Sequence, residues 1–183
     1  YIGVVLLGIL IFYFIPGIAL LAFVLVSCYH FGEQHWEGRL KFRNWSVLFY
    51  FTYGAFIFLM LFGFQYKDTA EVIFQIANVH LPFSFFRACF ILNSLALLIQ
   101  LFIQLDSKIT IGKELFTLGL LALLFFKGTL LFGFGLYFVV WHSFPSLRSQ
   151  VHYIYGTFDK ISFVSYIKSA LLYWLMALIG LFS

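Results

Sequence analysis

The chain has 183 residues, of which 63% are hydrophobic and only 10% charged, well short of the quarter or so usual in soluble domains. Its net charge of +4 is spread without a basic run, which leaves nothing to neutralise successive phosphates and excludes a nucleic-acid-binding role. Apolar runs of about twenty residues, each long enough to cross a hydrocarbon core of about 30 Å, recur along it. An all-α, multi-pass membrane protein is expected, with residues 1–183 forming one helical bundle domain.

Tyr1 already lies inside an apolar segment, so further N-terminal helices are expected to precede it. About six spans follow in chain order: Val4–Tyr29, Trp45–Phe64, Phe83–Leu105, Ile111–Phe126, Thr129–Phe144 and Lys168–Phe182. The fourth and fifth are separated because a single helix over Ile111–Phe144 would be about 50 Å long, more than a tilted helix needs to cross. Lys127–Gly128 is the expected turn between them. Two amphipathic segments are expected at the membrane surface. In one, Asp68 and Glu71 form a capping box ahead of Val72, Ile73, Ile76 and Val79; the other follows Pro145, with Leu147, Val151, Ile154, Tyr155 and Phe158 as its apolar stripe and Gly156 as its break.

Lys and Arg counts orient the spans. Arg39, Lys41, Arg43, Lys108, Lys113, Arg148, Lys160 and Lys168 fall in the first, third and fifth loops, against Lys67, Arg87 and Lys127 in the second and fourth. Eight against three puts the odd loops in the cytoplasm of a cell-membrane protein. His30 and His142, each at the C-terminal end of its span, then reach the same depth on the cytoplasmic side; a fused fourth and fifth span would put them on opposite faces.

Cys28 and Cys89 have no ligand spacing and are expected to be inert. Of the five histidines, His80 is expected to be an ordinary loop residue, whereas imidazoles gathered near one face suit a metal site. In "YHFGEQHW", Glu33 and Gln34 lie three and four residues after His30, on its face if the helix continues, and would support its ring. His35 points elsewhere unless Gly32 breaks the helix. In "WHSFPSLRSQ", Ser143 and Ser146 are expected to cap the backbone groups freed by Pro145, and Arg148 and Gln150 to meet lipid headgroups or Glu33. Phe31 and Trp141 flank the two histidines, where a substrate-lining role is expected, although Trp141 suits an interfacial belt equally well. The 27 phenylalanines otherwise read as lipid-facing bulk. Asn93, Gln100 and Gln104 are expected to bond helix to helix. No carboxylate is expected inside a span, which counts against a proton-coupled transporter.

Together, "YHFGEQHW" and "VVWHSFPSLRSQVHYIYG" resemble the bacterioopsin-related-protein (Brp/Blh) family of membrane β-carotene 15,15'-dioxygenases, in which an HFG motif and a later WH motif end two different spans. The resemblance implies a non-haem Fe(II) enzyme that uses O2 to split β-carotene at its central double bond into two molecules of retinal. β-Carotene, O2, the lipid bilayer and a retinal-binding rhodopsin are the implied partners. It also implies four histidine ligands, with His30 and His142 carrying catalysis as two of them and another preceding Tyr1. The last commonly stands four residues after the WH histidine, where this chain has Ser146. His35, the expected third metal ligand, or His152 would replace it; otherwise the site has three histidines and an open position, or the activity has changed or been lost. Two alternatives compete: an electron-transfer protein holding haem between His30 and His142, and a non-catalytic partner that delivers chromophore to a rhodopsin.

Overall fold

Pro16 interrupts the first apolar run. Its ring clashes with the preceding turn and pushes the residue before it out of helical geometry, and Ile15 has φ −141° and ψ 62°. The single span expected over Val4–Tyr29 is therefore two helices, α1 (Ile2–Phe14) and α2 (Pro16–Trp36). The structure, a computed structural model, describes residues 2–41, 43–104 and 111–182. Tyr1, Leu105 and Lys108 lie outside these residues, and the Gln104 side chain is likewise not described.

The described residues continue with α3 (Ser46–Phe64), α4 (Tyr66–Ala77), α5 (Phe83–Gln104), α6 (Ile111–Lys127), α7 (Leu130–Tyr137), α8 (Phe144–Tyr155) and α9 (Lys160–Phe182). The protein is an all-α, multi-pass membrane protein: among the described residues, five helical stretches are long and apolar enough to cross a bilayer. They are Pro16–Trp36, Ser46–Phe64, Phe83–Ile103, Leu130–Tyr155 and Lys160–Gly180. The expected sixth, Ile111–Phe126, is the 17-residue α6, about 25 Å long at 1.5 Å per residue. The turn at Lys127–Gly128 separates α6 from α7 as expected.

The chain divides into two compact units, residues 1–137 and 138–183. The first is organised around α3, whose Phe49, Tyr53, Ile57, Phe58 and Leu61 are buried. α2 meets α3 through two glycines. A Cβ on Gly32 would lie 1.9 Å from the Tyr50 carbonyl oxygen, and one on Gly54 would lie 1.8 Å from that of Cys28. Small residues let membrane helices approach this closely, so that packing holds them together where lipid supplies no hydrophobic drive. On its other side, α3 is joined to α5 by polar bonds. Asn93 donates to the Thr52 carbonyl at 3.0 Å, and Gln100 donates to the Thr52 hydroxyl at 3.0 Å, the helix-to-helix role expected for both. Gln65, just after α3, donates to the carbonyls of Phe125 (2.6 Å) and Gly128 (3.0 Å) and so closes the C-terminal end of α6.

α4 begins three residues earlier than the capping box implied, with Gln65 rather than Asp68 at its N-cap and no side-chain cap bond. Asp68 sits in its first turn, and Glu71 accepts a bond from Gln75 at 2.7 Å. Asn78, in the left-handed region at φ 54°, ends it. His80 follows, exposed, with its ring stacked 4.1 Å from that of Phe74.

In the second unit a π-helical turn, Phe138–Ser143, leads directly into α8. Pro145 therefore does not end the helix. The carbonyl its ring would strike belongs to Trp141, inside the widened π turn, where the helix can accommodate the ring. Ser143 makes no side-chain cap bond, and Ser146 accepts from Gln150 at 3.4 Å, so the capping role expected of these serines is replaced by the wider turn. Arg148 lies over the Phe158 ring at 5.7 Å, and Gln150 accepts from the Tyr166 hydroxyl at 2.6 Å. Gly156, at φ 78°, ends α8 as expected. α9 starts eight residues before the expected Lys168, because Asp159 caps it: the Ser162 backbone N–H donates to Asp159 Oδ1 at 2.8 Å.

Candidate functional site

The polar stretch that follows Tyr29 is helical. α2 runs on to Trp36, so His30, Glu33 and Gln34 occupy successive turns of one helix face. Glu33 is held in place: the Tyr29 hydroxyl donates to its Oε1 at 2.6 Å, while its Oε2 lies 3.9 Å from His30 Nδ1. That separation is a charge contact rather than a hydrogen bond. A carboxylate beside Nδ1 favours the tautomer that leaves Nε2 with the lone pair, the arrangement that supports a metal-binding imidazole. The His30 side chain is 53% exposed, a position from which a ring can serve a ligand.

Gly32 does not break the helix. It lies inside α2 at one of its two close approaches to α3, where its missing Cβ is what lets the Tyr50 carbonyl approach. Phe31 faces the core, stacked on Phe58 at 5.7 Å and edge-on to Tyr137 at 5.3 Å. It anchors α2 beside His30. Because the helix is regular, His35 points away from the His30 face, and its Nε2 lies 2.8 Å from Glu114 Oε2 in the first turn of α6. The His35 ring stacks on Tyr53 with centroids 5.1 Å apart. Arg39 completes this second cluster: it bonds Glu114 Oε1 through Nη2 and the His35 carbonyl through Nη1 at 3.1 Å, and its guanidinium covers the buried Trp36 ring at 4.6 Å.

Glu33, inside the candidate span Pro16–Trp36, corrects the expectation that no span contains a carboxylate; Glu114 stands in the first turn of α6. Its side chain is 15% exposed, and a charge so placed is tolerated because Arg39 and His35 meet both of its oxygens. The signal in the sequence was a single glutamate in the first turn of an apolar run. Its partners stand 79 and 75 residues earlier, beyond the reach of any local pattern.

His142 lies in the π turn of the second unit, half-buried, with its ring 4.9 Å from that of Phe138. Single π turns within helices are uncommon and recur at functional sites. Trp141 precedes it in the same turn, and His152 is exposed on α8. The histidine donors fit a ferrous centre in kind, since neutral imidazole suits iron. They do not fit in number: among the described residues no three of His, Cys, Asp and Glu stand close enough together to hold a metal ion.

A family model described as Beta-carotene 15,15'-dioxygenase matches residues 1–183, the whole chain. No curated protein and no solved structure matches it.

Proposed function

Because the chain belongs to the β-carotene 15,15'-dioxygenase family, we propose that it cleaves β-carotene with O2 at the central double bond to give two molecules of retinal. The balance is complete without a reductant: one carbon–carbon double bond is lost, each of its carbons becomes a carbonyl, and one O2 supplies both oxygens. The observation that carries this reading is the family match along the full chain. The paired His30 and Glu33 near the end of an apolar helix support it.

Ferrous iron, when bound, would activate O2. In this reading His30 and His142 would be its ligands and Glu33 and Gln34 would support the His30 ring, whereas His35, turned away to Glu114, would not be among them. The remaining steps belong to the chain itself. β-Carotene dissolves in the bilayer, so exposed apolar helix surfaces let it arrive sideways from lipid, and residues such as Leu25 and Val26 on α2 are of this kind. Phe31, buried beside His30, holds the helix that meets the substrate, and Trp141 supplies an aromatic wall beside His142. The apolar surroundings exclude water from the reacting bond. The site faces the cytoplasmic side of the cell membrane in this reading, where a retinal-binding rhodopsin could take the product.

The test is expression in bacteria that make β-carotene. Cells should lose their orange colour and accumulate retinal. Unchanged colour with good membrane expression would refute the proposal.

A further inference from the structure

The cluster at the end of α2 has no place among the iron ligands, yet it gathers two ion pairs on one carboxylate. Glu114 accepts from two different side chains of α2's end, one oxygen to His35 and the other to Arg39. Arg39 turns back to the His35 carbonyl and lies flat over Trp36. Trp36 and Tyr53, at 1% and 2% exposure, form the floor on which this cluster rests. His35 is thus gripped from two sides, by the Glu114 carboxylate and by the Tyr53 ring. His30 and Glu33 stand on the same helix, within two turns of these contacts.

We propose that Glu114 is a positioning residue: by clasping His35 and Arg39 it fixes the end of α2 to the start of α6, and so holds His30 and Glu33 in register for the reaction proposed above, on which this inference rests. His35 then serves as the link in this clasp and not as an iron ligand. A carboxylate suits the task because it has two oxygens for two donors in fixed directions. Exchanging Glu114 for glutamine keeps the shape and removes the charge that holds Arg39.

The experiment uses the protein in lipid vesicles containing β-carotene, with a spin label on a cysteine introduced at Glu37, the exposed C-cap of α2. Cys28 and Cys89 are replaced by alanine in every sample. In Glu114→Gln the label should gain a mobile component, and kcat for retinal formation should fall roughly tenfold with KM little changed, as when support around a site is removed. Glu114→Asp, which keeps the charge, should recover part of both. Glu71→Gln, on the surface of α4, should alter neither. His35→Gln should retain bound iron, whereas His30→Ala should lose it.

A wild-type kcat in Glu114→Gln would overturn the inference, and so would a fall in kcat with an unchanged label spectrum. Iron loss in His35→Gln equal to that in His30→Ala would also overturn it. If Glu114→Gln does not fold, Arg39→Gln decides between the same outcomes, because it leaves the Glu114–His35 bond in place. Absence of retinal from the wild-type protein, with the label still loosened by Glu114→Gln, would remove the proposed reaction and leave the clasp standing.

Discussion

Substituting Gly32, the glycine of the HFG motif, with alanine tests how the site is held. The new Cβ would lie 1.9 Å from the Tyr50 carbonyl oxygen and 2.5 Å from its carbonyl carbon. A carbon–oxygen contact needs about 3.3 Å, so α2 and α3 would have to part locally by about 1.4 Å from the 1.9 Å position. Gaps of about 0.5–1 Å already forfeit a quarter to a half of the dispersion energy between facing atoms. The backbone on the far side cannot rotate away as a side chain could, so the cost should fall at the upper end of overpacking, about 3 kcal/mol. The same movement shifts His30 relative to anything it serves, and a displacement of about 1 Å can cost on the order of 100-fold in rate. Thermal unfolding in detergent reads the first effect and retinal formation in carotene-containing vesicles the second. Gly119→Ala, at a helical glycine with open space around it, should be neutral or slightly stabilising. Wild-type stability and rate in Gly32→Ala would refute the close-contact reasoning.

Gln65→Leu removes two hydrogen bonds to the Phe125 and Gly128 carbonyls and should destabilise the protein by about 1–3 kcal/mol in denaturant unfolding; an unchanged midpoint would mean that the end of α6 is held otherwise. At Asp159, the Ser162 backbone N–H and the Thr157 hydroxyl hold the carboxyl below its ordinary value of 3.8. A depressed folded-state value means that the contribution is fully present above the unfolded value and is lost as pH falls through the folded one. The stability advantage of the wild type over Asp159→Asn should therefore be constant near neutral pH and shrink below about pH 4; an advantage that grew on acidification would contradict the cap. Metal analysis of purified variants should show iron reduced in His30→Ala and in His142→Ala and unchanged in His80→Ala, whose ring stacks on Phe74 in a loop. Full iron in His142→Ala would remove the WH histidine from the site.

The features legible in the sequence were those that depend on length or on local spacing. The turn at Lys127–Gly128 followed from the excess length of a fused helix, and Asn93 and Gln100 follow the rule that amides inside a span seek another helix. Glu33 shares the His30 face because three residues make nearly one turn. Pro16 was visible, but an apolar run of suitable length masked its effect on the helix. Pro145 misled in the opposite direction, because a widened turn absorbed it. What Gly32 does depends on a carbonyl of another helix, and Glu114 depends on partners more than 70 residues away. No periodicity carries that information. The HFG motif was therefore recognisable as a pattern, but its glycine acquires a physical reason only once α2 lies against α3.

The most direct measurement is product formation by the purified protein, loaded with Fe(II), in vesicles containing β-carotene under O2, followed by chromatography of the extracted pigments. The expected result is two retinal molecules formed for each β-carotene consumed, with none from His30→Ala. No retinal from the iron-loaded wild type, or equal retinal from His30→Ala, would contradict the proposed function.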